Sequence, residues 1–468
     1  MKTTSVNQLN IRILLFIFIC LIPLLSLGLS LEEAKNYAHY FFFVQIIAMF
    51  FYIFSYRRWV LFLSPISLAI FYVGLSFTLG SWAFKKGYVY QTIDLNDYSE
   101  WSFYNETTFF ILLCITILFL LDRKMYSNYL NFTNLSQNFL AIDKVNTILV
   151  ISGIAAAFFF LFPLNLGFIG GSGTLSYTPL AIFATISSYL LAYKRVKLRV
   201  AFYCLILAGL ALISVYNKRD AVFMILPIFL LEVLFNYSVI RFRHFLVLGL
   251  ALLFLFFLIC LMSIARGYGG AIVENDLELG SIMNALPFLL TYISSDEFLT
   301  LFFNNIESNY TFFHSVQAIE YIRSGQSDLA FGSTFLKVFF IGIPRDIAPF
   351  KPDALIHSYT FLRSPEYRLA GGSWPANIFA DAFWNFHFFG FLAIFIFGLL
   401  LRRFFTFLIW SIKTNNFFNF IWLLFAYSQF LVLIRGSGLD QYTVIVIFGM
   451  IFSLIYAYSW QLLKLKDY

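Results

Sequence analysis

The residues with the clearest chemical potential in this sequence are cations at the margins of long apolar runs. Lys218, Arg219 and Asp220 fill a short turn between two such runs, and Arg266 closes another. Arg435 ends a third and is followed by Gly436, Ser437, Gly438 and Asp440. Arg345 and Lys351 lie in a proline-rich stretch, with Arg363 and Arg368 beyond it. A guanidinium presents a planar fork that can donate two hydrogen bonds at once to a phosphate. A single Arg at a helix end usually snorkels to lipid headgroups or pairs with a neighbour, as Arg219 can with Asp220. The set, taken together, points to a site for an anionic ligand.

Groups for acid–base work are few. Asp381 sits near the start of an apolar run, where a carboxylate either answers a helix dipole or contacts a substrate. His357 could serve as a general base. Asp353, Glu366 and Asp296 are further carboxylates in the same region, while His314 and His387 fall at helix-packing positions. There is no G-x-S-x-G, H-E-x-x-H or Walker loop, and no D-x-D pair for a metal-bound nucleotide sugar. No metal or cofactor is expected. The four cysteines, Cys20, Cys114, Cys204 and Cys260, each lie within an apolar run and read as small hydrophobes.

The elements that must carry these groups are membrane helices. Of 468 residues, 61% are hydrophobic and 12% charged. An ordinary soluble domain is about 45–50% apolar and about 25% charged, and could not hide so much apolar surface. Runs long enough to span a bilayer fall near 11–29, 38–55, 59–80, 106–121, 146–166, 176–193, 199–216, 220–237, 243–264, 376–400, 417–435 and 441–463. The expected fold is therefore an all-α polytopic membrane protein of about twelve transmembrane helices. Lys and Arg crowd alternate connections, including Arg57, Arg58, Lys194, Arg195, Arg402 and Arg403, which places both termini in the cytoplasm. The cations listed first break that pattern and fall at the outer surface. Placing an Arg at a helix centre costs roughly 2.5–3.5 kcal/mol on insertion scales. The net charge of +7 reflects topology and not nucleic-acid binding, because no basic stripe is interleaved with aromatics.

Three regions follow: an N-terminal bundle over 1–264, a large outer loop over 265–375, and a C-terminal bundle over 376–468. Within the loop, Phe312, Phe313, Val316, Ile319 and Ile322 share one face of a helix predicted over 310–324, with Glu320 and Arg323 a turn apart. Such a helix lies on the membrane surface or caps the bundle. Pro344, Pro349 and Pro352 make 341–353 a rigid extended segment. Gly170–Gly173 (GGSG) reads as a flexible linker on another outer loop, and Glu274, Asp276 and Glu278 as a solvated surface.

Three stretches resemble the Wzy-type oligosaccharide repeat-unit polymerases of O-antigen and capsule synthesis. GIPRDIAPFKPD (Gly342–Asp353) is similar to that family's Pro-Arg then Lys-Pro pattern in its large loop. GGSWPANIFADAFWNFHFFGFLAIFIFGLLL (Gly371–Leu401) is similar to its loop exit, followed by an acidic residue, Asn-Phe and Gly in the next helix. Arg219 in NKRDA and Arg435 in IRGS match its pair of outer arginines. The family often has Glu where Asp381 stands, and Gly where His387 follows Asn385–Phe386.

The resemblance implies a GT-C-like polymerase/ligase architecture and an inverting, metal-independent glycosyltransferase of the bacterial inner membrane. Its partners would be membrane lipid and an undecaprenyl-diphosphate-linked oligosaccharide. A chain-length regulator protein is a partner the residues leave open. Arg219, Arg266, Arg345 and Arg435 would hold the diphosphate or position the glycan, with Lys351 assisting and His357 or Asp381 as base. Rival readings are an O-antigen ligase, a lipid-linked oligosaccharide flippase or transporter, and a non-catalytic scaffold. A transporter would carry charges along a path through the membrane and show two related halves.

Overall fold

The computed structural model describes residues 3–87, 101–130, 225–235, scattered positions between 239 and 264, Thr185, and most of 282–465. These residues form helices and connecting turns, with no β-strand among them. Helices α1 (Thr3–Ser26), α2 (Leu31–Phe54), α3 (Pro65–Lys86) and α4 (Tyr104–Arg123) are followed by α5 (Ile225–Phe235), α6 (Phe298–Asn305) and α7 (Glu307–Arg323). Then come α8 (Leu355–Arg363), α9 (Ile378–Phe386), α10 (Gly390–Lys413), α11 (Phe417–Arg435) and α12 (Leu439–Leu465). Six described segments are long and apolar enough to cross a membrane: Leu9–Ser26, α2, α3, α4, Ile378–Ile412 and Phe418–Arg435. The chain is thus a multi-pass helical membrane protein. The predicted runs 146–166, 176–193 and 199–216 lie outside the described residues, Thr185 apart, as does the GGSG segment.

Two boundaries differ from the sequence reading, each for a local reason. The run at 59–80 is a short turn (Trp59–Phe62) followed by a helix that begins at Pro65 and reaches Lys86. Proline at a first helical position gives up no hydrogen bond and has its φ preset. The run at 376–400 is two helices and extends to Lys413. Its break is at His387, whose φ of 55° and ψ of −138° end α9. Gly390 then lets α10 pack closely on α9, since a Cβ there would sit 2.5 Å from the Ala382 carbonyl oxygen.

The chain divides into two compact units, described separately: residues 1–57, 71–116 and 239–328, and residues 58–70, 117–238 and 329–468. In the first, α1 leans on α2, where Arg12 donates to Ser55 (2.7 Å to the hydroxyl, 2.8 Å to the carbonyl) and stacks over Tyr56. Ser30 and Glu33 close the start of α2 with a capping box. The predicted amphipathic helix is α7, and all five of its marked apolar residues are buried. Its polar residues Thr311, His314, Ser315 and Gln317 are buried too, so the helix is enclosed by its unit. Gly80 opens the space for the Phe312 ring. Glu320 and Arg323 do not pair with each other. Glu320 accepts from the backbone N–H of Ser102 (2.6 Å) and Phe103 (3.2 Å), capping α4 from outside, and Arg323 pairs with Glu106 at 2.6 Å. Burial pushes the Glu320 carboxyl above its ordinary range, against the lowering effect of those two backbone bonds.

In the second unit α11 is the central helix: 83% of its span is buried, against 22% for α1 in its own unit. It packs on α10 and α12, and Tyr427 donates to the Leu63 carbonyl at 2.8 Å. Asp122 is fully buried and accepts from the hydroxyls of Ser64 (2.9 Å) and Ser67 (2.8 Å).

Candidate functional site

The site forms in the second unit, where the start of α9, the end of α11 and the start of α12 meet α8. Asn377 caps α9 by accepting from the N–H of Phe379 (3.0 Å) and Ala380 (2.9 Å). This cap fixes Asp381 one turn inside the helix. Two glycines with positive φ, Gly436 (109°) and Gly438 (92°), make the sharp connection between α11 and α12. At Gly436 a Cβ would lie 1.7 Å from the Ala376 carbonyl oxygen, so only glycine lets this turn touch the residue before the α9 cap.

The result is a narrow cleft lined by Leu355, Ile356, Ala376, Ile378, Asp381, Leu433, Gly436, Gly438 and Leu439. Its enclosed space is about 10 Å³, room for about one water molecule. Its walls are apolar or backbone, and Asp381 is the one carboxylate among them.

Asp381 is held firmly. Its Oδ1 accepts from the Thr334 hydroxyl (2.8 Å) and from Asn385 Nδ2 (3.1 Å). Asn385, fully buried, also donates to Thr334 Oγ1 (2.6 Å) and to the Asp381 carbonyl (2.8 Å), and its Oδ1 accepts from Gly332 N–H at 2.8 Å. Ala330 N–H and Phe331 N–H donate to the carbonyls of Trp384 and Asn385. Residues 330–334 are thereby strapped along the end of α9. Beside the cleft, Lys337 and Asp440 form an ion pair of 2.8 Å with side chains only 9% and 19% exposed. Asp440 is also within electrostatic reach of Asp381.

The residues singled out in sequence are partly brought together. Asp381 lines the cleft. Arg435 is buried at the end of α11, immediately before the lining residue Gly436. His357 follows the lining residue Ile356 on α8, is not itself in the wall, and lies 3.8 Å from Asp353 through Nδ1. Lys351 donates to the Ile343 carbonyl at 3.1 Å and is likewise not in the wall. Arg219, Arg266 and Arg345 lie outside the described residues. Sequence reasoning missed Thr334 and Lys337. A lone lysine in the apolar stretch FLKVFF (Phe335–Phe340) was the available signal for the second, and nothing local marks the first.

Among the described residues no group of three or more His, Cys, Asp or Glu side chains is placed to hold a metal ion. Compared with known proteins, the chain matches no family model, no curated protein and no solved structure.

The arrangement sets a positioned carboxylate beside the Lys337–Asp440 ion pair at the junction of membrane helices. It can orient a hydroxyl, accept its proton, and counter negative charge that develops next to it.

Proposed function

We propose that the chain is a glycosyltransferase that joins undecaprenyl-diphosphate-linked oligosaccharide repeat units, as in O-antigen synthesis. The observation that carries this reading is the meeting of two stretches on which the family resemblance rests. Asp381 of the Gly371–Leu401 stretch and Gly436 of IRGS line one cleft, and Arg435 is buried immediately before Gly436. Under this proposal the chain has about twelve spans and a GT-C-like plan. It sits in the bacterial inner membrane with both termini cytoplasmic and the large loop periplasmic.

In the reaction, an acceptor sugar hydroxyl attacks the anomeric carbon of the donor glycan from the face opposite the diphosphate. The new C–O bond forms as the bond to the diphosphate oxygen breaks, and configuration inverts. Asp381 or His357 takes the hydroxyl proton. Arg435, with Arg219, Arg266, Arg345 and Lys351, offsets charge on the departing diphosphate, so no metal is called for. Two lipid-anchored substrates in one leaflet lose little further freedom on meeting. The cleft is too small for a sugar ring and takes at most the reacting hydroxyl. The same cation set also suits a diphosphate donor in a ligase, and the experiment separates the two.

The gene is deleted and restored as wild type, Asp381→Asn or Arg435→Ala, with protein levels checked and polysaccharide read as a ladder on a gel. The proposal expects the deletion to leave a single repeat unit on the lipid core and both variants to fail in restoring the ladder. Polymer accumulating on the lipid carrier with a bare core identifies a ligase. Units retained on the cytoplasmic leaflet identify a flippase. Either result overturns the assignment.

A further inference from the structure

The stretch 331–350 is built inside out. A turn of α-helix (Ser333–Leu336) runs into a 3-10 turn (Lys337–Phe340). Two of its polar side chains face inward, Thr334 (5% exposed) on Asp381 and Lys337 (7% exposed) on Asp440, whereas Asp346 is exposed. Its large apolar side chains face outward. Phe331 (77%), Phe339 (78%), Ile347 (73%) and Phe350 (74%) are among the most exposed large hydrophobics of the chain. A segment folded against water buries the apolar face and exposes the polar one.

The two parts of this stretch are joined. Phe340 packs edge-on against Phe350 at 5.7 Å, and Lys351 closes the loop back onto Ile343. The 3-10 turn packs on α12, whose own outward residues Ile447, Ile451 and Leu454 are also exposed. The patch therefore adjoins the side of an apolar helix in a chain that already carries six apolar helices of spanning length. Scattered exposed apolar residues need no explanation, but a contiguous patch does.

We propose that the apolar face presented by Phe331, Phe339, Ile347 and Phe350 is inserted in the membrane. These four side chains lie among lipid acyl chains, while Thr334 and Lys337 on the inner side hold Asp381 and Asp440. The occupant of the apolar face is the bilayer itself. The proposal rests on the apolar spans and not on glycosyl transfer, so it stands or falls separately from the function above.

The test places a single added cysteine in the full-length chain at Phe339, Phe350, Ile451 or Asp353, labels it with the fluorophore NBD, and subtracts the parent chain's signal. The protein is reconstituted in phosphatidylethanolamine/phosphatidylglycerol vesicles with or without 5-doxyl phosphatidylcholine. The expected result is loss of fluorescence to the doxyl lipid at 339 and 350, comparable to that at Ile451, with protection from aqueous iodide. Asp353, whose side chain is 46% exposed, should show the reverse. Iodide quenching at 339 and 350 equal to that at 353 overturns the proposal. Protection from both quenchers that disappears on dilution in detergent also overturns it, because a second copy of the chain would then be the cover.

Discussion

Replacing Asn385 with Ala should loosen the strap that runs from Ala330 to Thr334 without unfolding α9. The side chain makes four hydrogen bonds: to Thr334, to the Asp381 carbonyl and carboxylate, and from Gly332. The carbonyl keeps its helical role, so three bonds matter. At about 1 kcal/mol each, with no water to replace them at a fully buried position, the local cost is about 3 kcal/mol. A difference of about 1.4 kcal/mol is a tenfold change in an equilibrium constant, so opening of the strap should rise by about two orders of magnitude. Amide hydrogen exchange reads this directly, since local opening sets the rate. The N–H groups of Ala330, Phe331 and Gly332 should exchange about a hundredfold faster, while those in the middle of α11 stay unchanged. Thr334→Val removes one shared bond, so the double variant should cost about 1 kcal/mol less than the sum of the singles. Unchanged exchange at 330–332, or strict additivity, would refute the network as drawn.

Four further outcomes follow from the geometry. Gly436→Ala drives a Cβ into the Ala376 carbonyl at a strained φ, and should abolish the yield of monodisperse protein on size exclusion. Gly87→Ala, where φ is also positive but nothing lies within 4 Å, should be tolerated. Removing one member of the Lys337–Asp440 pair, as Lys337→Met or Asp440→Asn, should cost about 3–5 kcal/mol by stranding the other charge, and the double variant should recover part of it in thermal scans. His387→Gly should stabilise the protein by about 1 kcal/mol, because glycine adopts the 55°/−138° backbone without strain but loses more chain entropy on folding. Glu320 has a raised pKa when folded, so its contribution is present below the ordinary glutamate range and is lost as pH rises through the raised value. Exchange protection at Ser102 and Phe103 should therefore fall with rising pH in the wild type, and that slope should vanish in Glu320→Gln.

What could be read from the sequence follows the range of the interactions. Apolar runs of spanning length and the five-residue face of α7 are periodic, local signals; among the described residues six helices of spanning length and that face are present, with the bounds of two runs shifted. The partners of Glu320 and Arg323 are not local: spacing offered each to the other, and the fold gave both to the start of α4. The break at His387 was unreadable because helix breaks are normally marked by Pro or Gly, and this one is made by a histidine in a backbone shape that suits glycine. At the cleft, Asp381 and Arg435 stood out as charges beside apolar runs. Thr334 carries no such contrast with its neighbours, and its role exists only because the strap brings it to α9.

The broken helix has a consequence for how the chain fits its membrane. As one straight helix, the 35 residues of Ile378–Ile412 would measure about 52 Å at 1.5 Å per residue, far more than a hydrocarbon core of about 30 Å. Such an overshoot would force steep tilt or local thickening of the bilayer. Folding α9 back against α10 shortens the apolar length to α10 alone, about 36 Å, which a modest tilt accommodates. The mismatch is relieved at the point where Asp381 must be presented, so the depth of that carboxylate is tied to the fold at His387 and not to the thickness of the surrounding lipid.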